Sequence, residues 1–330
     1  KTEFMLSRVA DAIYWMNRYI ERAENYARFL DVNFNLSLEL KKSQEQWMPL
    51  VITTGDAPDF QKRFDKADKS NVIFFMGFDE ANENSIYNSI LKARENARSV
   101  RPELTSEVWE QINFLYYEVK RGLEEKIWTE KDPRAFFSVI KKNIQLLYGI
   151  LDSTISRTDG WHFGKIGQLL ERADKTSRVL DVKYHILLPS IGAVGTSIDL
   201  IQWTALLKSV SAYDMYRKKY GKLTPLNISE FLILDKSFPR SILKCVTSSE
   251  QSLNNIHGNS LMGTNPALKE LGKLKASLEF TDIHEIFSGG LHEFLENLQL
   301  RINDTSDVIF KTFFSIDNQI VLRQNQNQNQ

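Results

Sequence analysis

The 330-residue sequence contains a single cysteine, Cys245. One thiol excludes an intramolecular disulfide and any cysteine-rich metal site, and it is typical of a reducing compartment. The sequence also lacks an apolar run of about 18 residues, the length that a membrane-spanning helix needs. The opening segment, KTEFMLSRVADAIYW, has no basic stretch followed by an uninterrupted apolar one, so no signal peptide is expected. These absences predict a cytoplasmic protein that does not span a membrane.

Charge of one sign is missing as well, because 42 lysines and arginines balance 42 aspartates and glutamates. A nucleic-acid-binding domain normally carries a net basic surface, so no nucleic-acid partner is predicted. No Walker loop, GxGxxG or GxSxG motif occurs. The histidines and acids form neither an HExxH nor an ExxH motif, so the sequence predicts no metal site and no cofactor.

Prolines and glycines are few, eight and fifteen, and most lie at segment edges, which favours long helices. From about Leu6, apolar residues recur at helical spacing and form one stripe. This stripe consists of Val9, Ile13, Met16, Ile20, Ala23, Ala27, Leu30 and Phe34. A second long helix is predicted from about Gly160 to Leu188, where Pro189 ends it.

Helical periodicity also covers most of the remaining chain, so the predicted fold class is all-α, a multi-helix bundle. The apolar run 72–76 has the content of a buried strand, but no partner strands occur, and a short helix is predicted there instead. The other predicted helices cover 104–122, 133–155, 198–220 and 281–314, with one opened by Asn84-Ser85 and others beginning near Pro225, Pro239 and Pro266. Residues 317–330 are predicted to be a low-complexity tail.

Two segments that lie 150 residues apart are alike. IERAENYARFLDV at 20–32 and LERADKTSRVLDV at 170–182 share seven of thirteen residues. The apolar stripe recurs at the same offset, in the pairs Ile13/Phe163, Met16/Ile166, Ile20/Leu170, Ala23/Ala173, Leu30/Leu180 and Phe34/Tyr184. The repeat predicts two pseudo-duplicated halves, 1–155 and 156–316, or two equivalent helices within one bundle.

These segments resemble the alpha-E domain family, predicted all-helical bacterial proteins named for a recurrent Glu-Arg motif. The resemblance covers most of the chain, in blocks at 5–25, 93–110, 156–189, 202–220 and 231–242. It implies a partnership with ATP-grasp-type amide ligases, beside which the family is typically encoded together with transglutaminase-like and other peptide-handling enzymes. In the family pattern Gly-Arg precedes the Glu-Arg pair, whereas this chain has Asn17-Arg18 and Gly167-Gln168. If that arginine matters, the second copy is expected to be the weaker site.

Charged side chains lie on the helix faces opposite the apolar stripe, interleaved with tyrosine, phenylalanine and valine, so both faces are expected to be covered. The candidates are Arg18, Glu21, Arg22, Asn25 and Arg28 on the first helix and Glu171, Arg172 and Arg178 on the second. Buried charges must be paired, because an unpaired one costs several kcal/mol. Glutamate–arginine pairs that fix helix packing are one interpretation. Another is a pocket whose arginines bind a carboxylate or phosphate. A metal site is disfavoured by the neighbouring cations.

A further candidate is the ladder of Arg94, Arg98 and Arg101, which lie on one helix face. Three such arginines repel one another unless acids or an anionic ligand neutralise them. We predict that Glu21 is paired with an arginine of another helix, Arg94 or Arg98 first of all. An anion site at the ladder is the alternative, and Arg157 is grouped with the same set.

The leading functional hypothesis is an accessory protein that binds a partner enzyme or an anionic, peptide-like ligand through its Glu-Arg motifs. The partner that the resemblance implies is an ATP-grasp-type ligase. One alternative is an enzyme of amide or peptide chemistry in which Glu21 or Glu171 acts as general acid or base, which requires a raised glutamate pKa. The other is a structural scaffold, in which the charges close on one another without a cavity.

Overall fold

The helix that the sequence predicts most directly is α1, Ser7–Glu39. Apart from the partly buried Val9, its stripe is buried, with Met16, Ile20 and Leu30 inaccessible to solvent. The computed structural model describes residues 5–39, 46–185, 196–256 and 265–315, without the side chains of 184 and 185. The side chain of Tyr184, the predicted helix end at Leu188 and the predicted tail 317–330 lie outside the described part.

Within these segments the chain forms fifteen α-helices and no strand, which confirms the all-α class. The helices after α1 are α2 (Met48–Thr54), α3 (Ala57–Arg63), α4 (Lys69–Gly77), α5 (Ile86–Ser99), α6 (Ser106–Glu124), α7 (Arg134–Thr154), α8 (Asp159–His185), α9 (Ser197–Ser209), α10 (Tyr213–Lys219), α11 (Pro225–Leu234), α12 (Ile242–Asn254), α13 (Pro266–Glu279), α14 (Ile283–Gly289) and α15 (Leu291–Ile309). The short helix expected at 72–76 is α4, which Asp68 caps by accepting a hydrogen bond from the Asn71 amide.

Two predicted helices are interrupted. The stretch 198–220 breaks between α9 and α10, where Ser211 adopts a φ of 53° and the Ala212 amide bonds to the Leu207 carbonyl. No proline or glycine marks this break, which is why periodicity missed it. The last stretch breaks at Gly290, whose φ of 98° suits a residue without a Cβ. Pro225 and Pro266 begin helices as expected, whereas Pro239 lies ahead of Ser241, the N-cap of α12.

The helices pack in two groups of similar layout. In the first, α1 packs against α5 and α7, and α6 packs against both of those; in the second, α8 packs against α12 and α15, and α13 packs against both. Contacts also cross between the groups, since α2 packs on α8 and α9 packs on α1. This matching layout supports the pseudo-duplication, which stays a prediction.

The two motif helices, α1 and α8, lie against each other and run in the same direction. A Cβ atom on Gly164 would lie 2.6 Å from Asn17 Nδ2, and one on Gly167 would lie 2.4 Å from the Tyr14 carbonyl oxygen. Position 164 is the counterpart of Tyr14 and position 167 that of Asn17, so the close contact is reciprocal. Glycine at these positions lets the two backbones approach and brings the two Glu-Arg motifs face to face.

Candidate functional site

The two Glu-Arg motifs pair with each other rather than within themselves. Arg172 donates from Nε to Glu21 Oε1 at 2.9 Å and from Nη2 to Glu21 Oε2 at 2.7 Å. Arg22 makes the mirror contact, from Nε to Glu171 Oε1 at 2.7 Å and from Nη2 to Oε2 at 3.1 Å. Both glutamates are 0% exposed. Two-point pairs of this kind are the strongest arginine–carboxylate geometry.

Further polar side chains surround Glu21, and we call this set the Glu21 cluster. Its members are Glu21, Glu24, Asn25, Arg28, Tyr148, Arg172 and Arg240. Arg240 bonds Glu21 Oε1 at 3.0 Å and Glu24 Oε2 at 2.7 Å. The Tyr148 hydroxyl donates to Glu21 Oε2 at 2.7 Å. Arg28 pairs with Glu24 one turn away on α1, and its buried Nε has no hydrogen-bond partner.

The set around Glu171, the Glu171 cluster, contains Arg18, Arg22, Asn84, Glu171, Asp174, Lys175 and Arg178. Arg18 Nε donates to Glu171 Oε2 at 3.0 Å. Lys175 Nζ lies 2.9 Å from Asp174 Oδ2 and 3.5 Å from Glu171 Oε1. Arg178 bonds Asp174 through Nε alone, at 2.9 Å, and its side chain is 24% exposed. Its two terminal nitrogens make no hydrogen bond to any residue that the structure describes.

The pKa values of the acids follow from these contacts. Burial by itself would raise the pKa of Glu21, but the guanidiniums of Arg172 and Arg240 outweigh it and hold that pKa far below its usual range. Burial opposes ionisation of Glu171 in the same way, and Arg22, Lys175 and Arg18 lower its pKa well below normal. Both glutamates are thus ionised at neutral pH and hold no proton to donate.

Taken together, the two clusters carry more positive than negative charge. Seven cationic side chains surround four carboxylates, and none of the seven is more than 24% exposed. Among the cluster members, Arg18, Arg22, Lys175 and Arg178 face Glu171 and Asp174, an excess of two cations in the Glu171 cluster. Asp56 lies at the edge of this cluster and accepts a hydrogen bond from Asn84 at 2.8 Å. With Asp56 included, the excess is one cation in each cluster and two in total.

The prediction that Glu21 pairs with an arginine from outside its own helix is confirmed by Arg172 and Arg240, but the expected partners, Arg94 and Arg98, are wrong. The face of α5 that packs on α1 carries Ile90, Ala93 and Ala97, so its arginines point away from the motif. Arg94 donates to Asn113 of α6 at 2.7 Å and stacks on the Tyr116 ring. The Arg98 side chain is 71% exposed.

Two more arginines of the predicted set also lie outside both clusters. Arg101 donates to the Leu104 carbonyl oxygen at 3.0 Å. Arg157 pairs with Asp152 at 3.0 Å and stacks on Trp161 with a separation of 4.0 Å. Of the predicted site residues, therefore, α1 and α8 bring together Arg18, Glu21, Arg22, Asn25, Arg28, Glu171, Arg172 and Arg178.

Some cluster members escaped prediction. Glu24 and Asp174 lie four residues before Arg28 and Arg178, a spacing that pairs side chains on a helix, so the sequence did contain a sign of them. Arg240 and Asn84 have no such sign. Each directly precedes a helix N-cap serine, Ser241 and Ser85, and only the tertiary fold brings the two residues to the motifs.

Because each motif bonds the glutamate of the other, the arginine that the second copy lacks is absent from the surroundings of Glu21 in the first copy. Arg18 serves Glu171, the glutamate of the other motif. Its counterpart Gln168 makes no hydrogen bond to Glu21, and Arg240 and Tyr148 bond that carboxylate instead. The expectation that the second copy is the weaker one therefore needs correcting, since Glu171 is the glutamate that keeps the additional arginine.

Among the described residues, no group of three or more histidine, cysteine, aspartate or glutamate side chains converges as a metal site would require. Nor does any helix in the described ranges combine the length and apolarity needed to cross a bilayer. Cys245 is buried, and burial raises the pKa of its thiol to about 12, so it is not poised as a nucleophile.

Fold and site thus define an all-helical protein built around two reciprocally paired Glu-Arg motifs. The chain belongs to the Alpha-E family, described as a predicted alpha-helical domain with a conserved ER motif, whose model matches residues 5–314. Uncharacterized proteins of Mycobacterium bovis and Mycobacterium tuberculosis are 22% identical to it over 334 aligned positions, which cover 92% of this chain. The chain spans 36% of the length of these relatives. No solved structure matches it.

Proposed function

We propose that this chain is an accessory protein that binds an anionic, peptide-like ligand at its Glu-Arg motifs and acts with an ATP-grasp-type amide ligase. The observation that carries the proposal is the excess of buried cations over carboxylates in the two clusters. Buried charges that no partner neutralises are costly, and a carboxylate or phosphate held by arginines would complete the balance.

The Glu171 cluster is the better placed of the two for this role. Arg178 has a partly exposed side chain there, and its terminal nitrogens make no hydrogen bond to a described residue. The backbone of Gly55, at the end of α2, lies next to Arg178 Nη1. A small anion that reaches Arg178 would also come close to Lys175, which bonds the same aspartate.

The alternative of an enzyme that uses Glu21 or Glu171 as general acid or base has less support. Such a residue needs a pKa near the working pH, whereas arginines hold both glutamate pKa values far below it. Every oxygen of the two carboxylates already accepts hydrogen bonds from this chain's own side chains. The scaffold alternative accounts for the pairs but leaves the cation excess without a role.

The ligase partnership rests on the resemblance to the family, and none of the contacts described above bears on it. A ligase that forms amide bonds acts on carboxylates, and an accessory protein with an arginine-lined carboxylate site would suit such a substrate. The direct test is a thermal-shift screen of phosphate, pyrophosphate and short peptides with free carboxylates, with and without the candidate ligase.

Two matched variants localise the effect. Arg178→Gln removes the partly exposed guanidinium of the Glu171 cluster, and Arg98→Gln removes one from the remote ladder. We expect an anion to raise the melting temperature of the native chain and of Arg98→Gln, and to lose most of this effect in Arg178→Gln. Equal stabilisation of both variants, or no stabilisation beyond that of chloride at the same ionic strength, would refute the site.

A further inference from the structure

A cleft lies on the Glu21 side of the molecule, between α1, α7 and α8, away from the Glu171 cluster. It encloses about 50 Å³ and is lined by the Tyr148 ring, Lys165, Gln168 and several apolar side chains. This space holds about three to five waters. The cleft is open on one side, so a ligand whose carboxylate enters it can extend outward along the wall.

Gln168 is one of the polar residues that line this cleft. Its residue is 4% exposed, and its amide makes no hydrogen bond to any described residue. It occupies the position that Arg18 holds in the other motif, where the longer cationic side chain reaches Glu171. The shorter, neutral glutamine leaves space at the equivalent point. The Gln168 amide thus faces the cleft without a partner among the described residues, and a ligand or ordered water there would complete its hydrogen bonds.

Lys165 lies one turn earlier on α8 and is also without an acceptor. Its ammonium lies 5.8 Å from the centre of the Trp161 ring and makes no hydrogen bond or ion pair with a described residue. Burial, followed by repulsion from Arg172, lowers the pKa of this amine. The nearby acid Asp152 is already paired with Arg157 at 3.0 Å.

From these contacts we infer that the cleft is a second ligand site, which binds the carboxylate of a small molecule with an apolar chain, such as an amino acid or a peptide C-terminus. Lys165 supplies the charge and the Gln168 amide donates a hydrogen bond. The apolar part of the ligand packs on Met16, Leu104, Leu151 and Ile155, which line the remaining wall. Glu103 is exposed on the same wall and makes no ion pair with a described residue, so it suits a ligand that also carries an amine.

Binding of N-acetyl-leucine and N-acetyl-leucinamide, measured by calorimetry, tests this inference without any variant, because the two probes differ only in the carboxylate. We expect the acid to bind about tenfold or more tightly than the amide, the ratio that 1.4 kcal/mol of charge-assisted bonding gives. Equal affinities, or no binding of either probe at millimolar concentration, would overturn the site.

Substitutions inside and outside the cleft then test where the probe binds. Lys165→Met and Gln168→Leu should each weaken binding of the acid about tenfold, whereas Lys142→Met, at an exposed position of α7, should leave it unchanged. Leu151→Trp, which fills the cleft, should abolish it. Binding that survives Leu151→Trp, or that falls equally in Lys142→Met, would contradict the assignment. Arg178→Gln should leave binding of the acid in the cleft unchanged, so the cleft and the proposed anion site are tested separately.

Discussion

Glu21 and Arg172 are 151 positions apart in the chain, yet the guanidinium of one holds both carboxylate oxygens of the other, at 2.9 and 2.7 Å. The neighbouring residues Arg22 and Glu171 repeat the contact with the roles exchanged. Each motif is therefore completed by the other, and neither α1 nor α8 would satisfy its buried charges alone. The paired motifs therefore hold the two long helices together.

Breaking one such pair should be costly. Glu21→Gln keeps the size of the side chain but leaves Arg172 and Arg240 without their shared carboxylate, so we predict a loss of about 3–5 kcal/mol in the free energy of unfolding. Urea denaturation of the purified variant measures it. Glu124→Gln, which removes an acid from an exposed pair on α6, is the control and should change stability by less than about 1 kcal/mol. A native-like melting curve for Glu21→Gln would refute the pairing.

Acid should destabilise the protein through the same groups. The folded pKa values of Glu21, Glu171 and Asp174 are lowered, so their contribution is complete above the ordinary carboxylate range and is lost as pH falls through the folded values. We predict that stability declines steadily below about pH 4.5. Glu171→Gln should show a shallower decline than the native chain in urea melts at pH 7, 5 and 3. Parallel curves for the two proteins would contradict this linkage.

The close approach of α1 and α8 makes Gly167 sensitive to any side chain. A Cβ there would lie 2.4 Å from the backbone oxygen of Tyr14, which cannot move without shifting α1. We predict that Gly167→Ala destabilises by about 1–3 kcal/mol. Gly149→Ala is the matched control, because Gly149 is an exposed helical glycine of α7 with open space around it. That variant should be more stable by about 0.5–1 kcal/mol. A similar effect of both substitutions would argue against the close contact.

The folded protein should be stable without a bound metal ion. Cations flank the motif glutamates, and hard metal ions prefer several oxygen ligands without such neighbours. We predict that treatment with a chelator leaves the melting temperature unchanged and that elemental analysis of the purified protein shows no stoichiometric metal. Iron, manganese or zinc whose removal unfolds the chain would overturn this expectation.

The two groups of helices are predicted to be related by duplication. The reciprocal pairs and the matching contacts of α1 with α5 and α7, and of α8 with α12 and α15, motivate the prediction. In an experimental structure, superposition of α8 on α1 should also bring α12 onto α5 and α15 onto α7. Helices that fail to coincide after this superposition would leave only a local repeat.

The periodicity of apolar residues determined most of the fold. It predicted α1, α6, α7 and α8 within a few residues, because a buried stripe at helical spacing is a property of the segment itself. The break at Ser211 escaped, since no proline or glycine forces the backbone to turn there. The sequence also predicted that the charged face of α1 would be covered and its charges paired, because ionic residues alternate with tyrosine, phenylalanine and valine along it.

Which charges meet was decided only by the tertiary structure. Pairing depends on the direction and separation of helices far apart in sequence, and here two glycines of α8 set that separation. Sequence reasoning assigned Glu21 to Arg94 or Arg98, whereas the fold gives it Arg172, Tyr148 and Arg240. The cleft beside Gln168 has the same origin, because a short side chain leaves space only where neighbouring helices fail to fill it. Composition and spacing carry no information on that distance, and packing alone fixes it.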